Sequence, residues 1–174
     1  EYAESGITKD SKFVDVRHIL VQVKGGTTAE DGTTTYSDED WKTCEDAAQA
    51  ILDQWLAGDK TEESFAALAT EKTEDPGSQA TGGLYQKVYE GQMVPEFNDW
   101  CFDEARAYSD YGLVKTTYGY HVMFFVGSQP QWISYAESDW MNEQSSKLLE
   151  DIVAKYPMEV SYEDIALGVV KMGQ

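Results

Sequence analysis

The sequence predicts an α+β fold built on a small, mostly antiparallel sheet. Strand and helix patterns follow one another along the chain without an internal repeat, and the last two strand patterns are close enough to form a tight hairpin. The chain has 174 residues, of which 41% are hydrophobic and 13% aromatic. A chain of this size and composition can bury a core without disulfide or metal support.

The N-terminal third predicts a strand, a loop and a helix. Residues 13–23 are rich in β-branched side chains and partly alternate, which is typical of a strand. Residues 24–40 are rich in glycine, threonine and acidic side chains and predict a loop. Ser37 and Asp40 form a capping-box pattern before a helix that ends at Gly58. The inward positions of this helix follow helical spacing: Trp41, Cys44, Ala48, Ile51, Leu52 and Trp55.

A second helix and a short strand are predicted next. Thr61 can cap the helix, and its predicted inward residues are Phe65, Leu68 and Ala69. Residues 75–83 are turn-forming types, and residues 84–89 predict a strand.

The patterns from Pro95 onward predict a helix, a hairpin and a helical extension. Pro95 suits the first turn of a helix to about Ala107, with Phe97, Trp100 and Cys101 buried. Strands at 113–117 and 120–126 are joined at Tyr118-Gly119. Residues 132–155 predict a long helix, with contact positions at Trp132, Ala136, Trp140, Leu148, Ile152 and Val153. Ser161 and Asp164 can cap a last short helix through Leu167.

The charge balance argues against two classes of partner. Lysine and arginine total 13 against 32 acidic residues, giving a formal net charge of -19. Nucleic-acid-binding proteins generally present a basic face, and anionic membrane surfaces also attract basic proteins. We therefore expect neither partner. The longest apolar run, residues 122–126, has the length of a strand and is too short to span a membrane.

The two cysteines, Cys44 and Cys101, lie far apart without metal-ligand spacing. Their spacing is compatible with two buried thiols or with one disulfide. Each lies on an apolar helix face, and two helices on opposite faces of a sheet would hold them too far apart to bridge. We favour two thiols. No metal site is expected, because neither the cysteines nor the two histidines show the local spacing of zinc ligands.

Six short motifs in a fixed order carry a family resemblance. They are RHILV at 17–21, FAALA at 65–69, DPGS at 75–78, GGL at 82–84, GQMVPEF at 91–97 and YGYHV at 118–122. Together they resemble the parvulin-type peptidyl-prolyl cis-trans isomerases, or rotamases, of the secreted bacterial foldase kind. The resemblance covers residues 13–127 and implies a four-stranded antiparallel sheet flanked by helices. It leaves residues 128–174 as a C-terminal helical segment, which belongs to a chaperone domain or simply packs on the isomerase domain.

The resemblance implies four residues of a catalytic network. His18 and His121 fall on neighbouring central strands, where their rings can share a hydrogen bond. Thr116 matches the threonine of the same network, with Thr117 as the adjacent alternative. Asp75 matches the position beside the isomerised bond, although an aspartate before Pro-Gly is also a common turn residue.

The resemblance also implies an apolar pocket for the proline ring. Met93 and Phe97 match its walls and Leu84 its rim, although methionine and phenylalanine at this spacing are also ordinary core residues. The segment between Gly83 and Gly91 is about one residue longer than the family pattern. The resemblance therefore does not decide which of Tyr85, Val88 and Tyr89 lines the pocket. Tyr118 stands where some relatives carry a small hydroxyl residue.

The implied activity is rotation about Xaa-Pro bonds in unfolded or exported proteins, without a covalent intermediate, metal or cofactor. The alternative is a binding module of the same fold that holds unfolded chains and has little isomerase activity. We expect no preference for phosphorylated serine or threonine before proline. Residues 24–46 offer Lys24 and Lys42 against seven carboxylates, namely Glu30, Asp31, Asp38, Glu39, Asp40, Glu45 and Asp46.

The resemblance further implies an extracytoplasmic bacterial location, at the cell surface or secreted. The chain begins at Glu1 and shows no signal peptide, which we interpret as the mark of a trimmed or mature fragment. Any membrane attachment would depend on an anchor absent from this chain.

Overall fold

The computed structural model describes residues 6–156. Within that range the elements are β1 Lys12–Gln22, β2 Thr27–Thr28, β3 Thr34–Thr35, α1 Asp38–Leu56, α2 Glu62–Lys72, β4 Leu84–Tyr89, α3 Pro95–Phe102, β5 Tyr111–Thr116, β6 Gly119–Pro130 and α4 Gln131–Lys155. A short 3₁₀ helix, Gln79–Thr81, precedes β4. The order confirms the predicted α+β class.

The central sheet has four strands in the order β4-β1-β6-β5. All neighbouring pairs are antiparallel. The two longest strands, β1 and β6, form the middle of the sheet, and Leu20 pairs with His121 there. The strand count and direction confirm the sheet that the resemblance implies.

The sheet separates two apolar layers, because successive side chains of a strand point to opposite faces. On one face Ile19, Val122 and Phe124 pack with α1 and α2. On the other face Val16 and Met123 pack with α3. His18 and His121 belong to the α3 face, since each shares its strand parity with these residues.

Side-chain caps begin α1 and α2 as predicted. Ser37 and Asp40 form a capping box at α1, and Thr61 forms one with Ser64 at α2. Helix α3 ends at Phe102, shorter than predicted. The Asp103 carboxylate accepts the Ala105 amide at 2.9 Å, a local turn that competes with further helix.

Other differences from the predictions concern the strands. The predicted loop 24–40 contains the small β2–β3 hairpin, with paired threonines. The turn between β5 and β6 lies at Thr117 and Tyr118, one residue earlier than predicted. Strand β6 continues to Pro130 because its last residues pair with the start of β1.

A bulge in β4 accommodates the extra residue that the segment between Gly83 and Gly91 carries relative to the family pattern. Val14 pairs with Val88 and Val16 pairs with Tyr85. Between these two pairs β4 therefore contains one residue more than β1. Lys87 has a φ of 54° at the bulge, and its amide donates to the Asp15 carboxylate at 2.7 Å. The extra residue lies after Tyr85 in the chain, between Tyr85 and Val88, so that Leu84 and Tyr85 keep their regular pairing with Arg17 and Val16.

Both cysteines are buried thiols. Cys44 lies on α1 and Cys101 on α3, on opposite faces of the sheet. Their separation confirms the preference for two thiols, since neither helix can reach the other through the sheet.

The chain divides into two compact units, one ending at Ser134 and one beginning at Tyr135. In the second unit the structure describes residues 135–156, which are α4 after its first turn and Tyr156. The predicted contact positions from Trp140 to Val153 are exposed, and so is Trp132, which corrects that prediction. At about 100° per residue these side chains spread around the helix and do not form one stripe. The predicted last helix after Ser161 lies outside the described residues.

No helix among residues 6–156 is both long enough and apolar enough to cross a bilayer.

Candidate active site

A cavity of about 400 Å³ opens on the α3 face of the sheet. Residues from β1, the turn after α2, β4, the start of α3 and the β5–β6 turn line it. They are His18, Leu20, Gln22, Asp75, Pro76, Tyr85, Gln92, Met93, Val94, Phe97, Tyr118 and His121. Five of the seven predicted site residues therefore meet in one cavity, and Asp75 is the only carboxylate among the residues that line it.

The two histidines lie side by side at the base of the cavity. The His18 and His121 Nδ1 atoms are 3.1 Å apart, and both residues are buried. The pairing of Leu20 with His121 places the two rings on the same sheet face. The glycine at Gly83 brings β4 close to this point, because a Cβ there would lie 2.2 Å from the His18 carbonyl oxygen.

The segment that carries Asp75 is tied to the edge of β1. The Glu74 amide donates to the Leu20 carbonyl at 2.9 Å, and the Thr73 hydroxyl accepts the amides of Leu20 and Asp75. Asp75 then begins a turn in which its carboxylate accepts the Gly77 amide at 3.1 Å. These contacts fix the carboxylate beside His18.

The Asp75 Oδ2 atom accepts three side-chain hydrogen bonds. The donors are Ser78 at 2.5 Å, Tyr85 at 2.8 Å and His18 Nε2 at 3.1 Å. Burial alone would raise the pKa of Asp75, but the hydrogen bonds from Ser78, Tyr85 and Gly77 hold it below its ordinary value. The carboxylate is therefore ionised at neutral pH and acts only as an acceptor.

The ionised carboxylate fixes the direction of the whole network. His18 must carry its proton on Nε2 to donate to Asp75, which leaves its Nδ1 as an acceptor. His121 must then donate from Nδ1, so its Nε2 accepts the Thr116 hydroxyl at 2.9 Å. The Tyr118 amide donates in turn to Thr116 Oγ1 at 3.2 Å. Each ring is held in one tautomer.

Both imidazoles are neutral. Burial lowers the pKa of His18 to about 4, although the Asp75 carboxylate acts in the opposite direction. Burial, with a smaller contribution from His18, lowers the pKa of His121 to about 3. The charge of the site at neutral pH is therefore the single negative charge of Asp75.

Aromatic and apolar side chains form the opposite wall. The Phe97 ring stands edge-on to both imidazoles, with centroid distances of 5.4 Å. Met93 and Val94 precede α3, and Pro95 begins it, so that the first helical turn carries Phe97 into the cavity. Asp75 and Phe97 thus face a common space.

Two of the predicted site residues lie outside the cavity lining. Thr116 is buried behind His121 and contacts the cavity only through that ring, while the alternative Thr117 is exposed in the turn. Leu84, predicted as the rim, pairs with Arg17 and points to the other side of β4. Of the three alternatives in β4, Tyr85 lines the cavity in place of Leu84. Val88 lies in the core, and Tyr89 is 51% exposed.

The sequence reasoning missed Ser78 as part of the network. Ser78 is fully buried, and its hydroxyl lies 3.1 Å from His18 Nε2 as well as 2.5 Å from Asp75. Its spacing of three residues from Asp75 within a turn is the pattern that could have identified it. Gln22 and Gln92, which add amide groups to the lining, follow no pattern that separates them from other surface residues.

The fold and this cavity define a class of protein. The sequence profile described as a PPIC-type PPIASE domain matches residues 4–127. The chain belongs to this family of peptidyl-prolyl isomerases, which confirms the predicted family.

Individual proteins similar to this chain are consistent with that family. The foldase protein PrsA of Halalkalibacterium halodurans is 31% identical over 112 residues, which cover 63% of this chain and 32% of the relative. The crystal structure of PrsA from Bacillus cereus is 22% identical with a TM-score of 0.51, covering 92% of this chain and 59% of that one. The PPIase domain of TbPar42 is 21% identical with a TM-score of 0.50, covering 66% and 99%. Both structures are similar to this chain in fold. The chain spans about a third of the length of the PrsA relative.

Proposed function

We propose that this chain catalyses the cis-trans isomerisation of Xaa-Pro peptide bonds in unfolded or exported polypeptides, and that the cavity described above is the active site. The observation that carries the proposal is the placement of one oriented carboxylate, Asp75, opposite the apolar wall of Met93 and Phe97. The reaction breaks no bond, and it requires binding of the ring together with a change in electrostatic environment.

Binding of the substrate depends on the apolar wall. A proline ring inserted between Met93, Val94 and Phe97 leaves water and gains about 25 cal/mol for each Å² of apolar surface buried. Holding the ring fixed lets the preceding carbonyl rotate while the proline stays in place. The amide groups of Gln22 and Gln92 supply polar contacts for the flanking peptide backbone.

Catalysis depends on the charge distribution of the amide. A planar Xaa-Pro bond is stabilised by resonance that places negative charge on oxygen, and rotation faces a barrier of about 20 kcal/mol. A carboxylate beside that oxygen raises the energy of the planar form more than that of the twisted form, in which the oxygen is less negative. Asp75, ionised and partly desolvated, supplies this charge.

The neutral histidines hold the carboxylate in position. His18 donates to Asp75 and is itself held by His121, which Thr116 holds in turn. Because both imidazoles are uncharged, the network orients Asp75 without neutralising it. Thr116, His121 and His18 are therefore positioning residues in this proposal.

The surroundings of the site argue against a phosphopeptide preference. Lys24 pairs with Glu74, and Lys42 pairs with Glu45 and Asp46. Both cations of segment 24–46 are thus already neutralised by carboxylates, and a phosphate there would meet a negative field. We propose that the substrates are unmodified proline-containing chains.

A protease-coupled assay on short Xaa-Pro peptides tests the proposal, because the protease cleaves only the trans form. The wild-type protein is expected to accelerate the slow phase, which takes tens of seconds or longer unaided. Met93→Ala should lower kcat/KM by about tenfold, and the matched control Met141→Ala, an exposed methionine of α4, should not change it. Equal activity of all three proteins would refute the assignment of the cavity, and absence of acceleration by the wild type would refute the activity.

We also propose that the protein acts outside the bacterial cytoplasm and that residues 128–174 belong to a polypeptide-binding segment. The foldase names of the relatives support both points.

Exposed apolar side chains on α4, including Trp140, Leu148 and Leu149, offer contact area for unfolded chains. Light scattering of an aggregating, proline-free client tests the binding role. Trp140→Ser with Leu148→Ser should weaken protection without changing peptide isomerisation, and unchanged protection would refute this assignment.

A further inference from the structure

Tyr85 makes two contacts with the site network. Its hydroxyl donates to Asp75 Oδ2 at 2.8 Å. Its ring stacks on the His18 imidazole with a centroid distance of 4.9 Å and an interplanar angle of 15°. It also lines the cavity, so one side chain contacts the carboxylate, the imidazole that supports it and the space for substrate.

We propose that Tyr85 is a positioning residue for the isomerisation: its hydroxyl sets the orientation of the Asp75 carboxylate from the cavity side, while its ring forms an aromatic wall that the bound peptide contacts. This inference rests on the proposed function of the cavity. The resemblance left Tyr85 as one of three alternatives for lining the pocket, and the inference adds a role for its hydroxyl in orienting Asp75.

The three donors to Asp75 Oδ2 are not equivalent. His18 and Ser78 are buried, and Ser78 does not line the cavity, whereas Tyr85 lines the cavity and is only partly buried. Tyr85 is therefore the donor that substrate entry reaches first. Without its hydroxyl, water or the peptide would take the vacant acceptor position, and the carboxylate would turn away from the geometry that the substrate oxygen meets.

The hydroxyl stays protonated throughout the working range. Burial, aided by the hydrogen bond to Asp75, raises the pKa of Tyr85 to about 12. Tyr85 therefore donates to the ionised carboxylate from neutral pH up to about pH 12.

The turn beside Tyr85 leaves room for its hydroxyl. A Cβ at Gly77 would lie 3.2 Å from the Tyr85 hydroxyl oxygen and 3.4 Å from Asp75 Oδ1. An alanine at this position would crowd the hydroxyl while leaving every polar group in place. Gly77→Ala is therefore a second way to disturb the same contact.

Steady-state kinetics on one Xaa-Pro peptide test the inference. Tyr85→Phe keeps the stacked ring and removes only the hydroxyl, so kcat should fall by about tenfold, as expected for a lost hydrogen bond to a charged group, while KM stays within about twofold. Tyr89→Phe is the matched control, because it removes a hydroxyl from an exposed tyrosine of the same strand. It should behave as the wild type.

A double-mutant comparison distinguishes action through Asp75 from a merely structural role. In an Asp75→Ala background, Tyr85→Phe should lower kcat by less than about twofold, because the carboxylate that it orients is absent. Gly77→Ala should lower kcat in the wild-type protein and have little effect in the Tyr85→Phe protein. Full kcat in Tyr85→Phe, or an equal loss in both backgrounds, would overturn the inference.

Nuclear magnetic resonance of the Asp75 carboxyl carbon separates this inference from the proposed function. Loss of the tyrosine donor should raise the pKa of Asp75, with His18, Ser78 and the Gly77 amide still facing it. An inactive wild-type protein would refute the proposed function, and the carboxyl titration would still show whether Tyr85 acts on Asp75. An unchanged Asp75 titration in Tyr85→Phe would overturn the inference even if the wild type is active.

Discussion

Acidification from pH 7 to pH 5 should destabilise the folded protein through the two buried histidines. The folded state holds both imidazoles neutral, with pKa values of about 4 for His18 and about 3 for His121. An unfolded histidine has a pKa of about 6.5. Between these values the unfolded chain binds more protons than the folded one, so stability must fall as pH falls.

The magnitude follows from the same values. At pH 5 an unfolded histidine is mostly protonated while both folded ones stay mostly neutral, so each site favours unfolding by about 2 kcal/mol relative to pH 7. The two sites together cost roughly 4 kcal/mol, a large fraction of the 5–15 kcal/mol typical of a domain. Ordinary carboxylates titrate near pH 4 and contribute little to this window. The acidic surface acts in the opposite direction, since its self-repulsion weakens on acidification.

Urea unfolding at pH 7, 6 and 5 measures the effect. With a slope of about 2 kcal/mol per molar urea, the midpoint should fall by roughly 2 M across this range. The control is the double variant His18→Leu/His121→Leu, which removes both titrating groups and both ends of their shared hydrogen bond. Its stability should not fall between pH 7 and pH 5, because the acidic surface that it retains is stabilised by acidification. If the wild type and the double variant lost equal stability between pH 7 and 5, the histidines would not be neutral and buried as described.

Three further outcomes are expected. Asp75→Ala should lower kcat by about tenfold or more and leave KM within a few-fold, as stopped-flow isomerisation kinetics would show, because its charge acts on the rotating amide; a loss confined to KM would contradict this. A phosphoserine-Pro peptide should turn over no faster than its Glu-Pro and Ala-Pro analogues, and faster turnover would refute the proposed exclusion of phosphate. Denatured, non-reduced protein should show both Cys44 and Cys101 as reactive thiols in a titration, and finding none would indicate a disulfide.

The hydrogen-bonded network proposed as the active site was accessible from the sequence because most of its members lie in short motifs with a fixed order. His18 and His121 each stand in a strand pattern, and the pairing of β1 with β6 brings them together. Asp75 was identified through the family resemblance, because its turn motif alone favours an ordinary turn residue. These are local patterns joined by a sheet whose strand order the family resemblance supplied.

The residues whose positions were not predicted correctly are those whose surroundings depend on strand register and on long-range packing. The bulge at Lys87 places the extra residue of β4 beyond Tyr85, and only the pairing with β1 decides that Tyr85 faces the cavity and Leu84 does not. Ser78 became part of the network because its turn folds back on β1. Exposure of Trp140 on α4 could not be derived from spacing, since apolar spacing does not say what a helix packs against.

We propose that prolyl bonds are isomerised in the cavity between Asp75 and Phe97. Exchange spectroscopy on an Ala-Pro peptide, with catalytic amounts of protein, measures the cis-trans rate directly and without a protease. The wild type should accelerate the exchange strongly. Phe97→Ala removes about 1–3 kcal/mol of apolar contact and should lower catalytic efficiency by tenfold or more, while circular dichroism shows that the variant is folded. Full activity of folded Phe97→Ala and Asp75→Ala proteins would contradict this proposal.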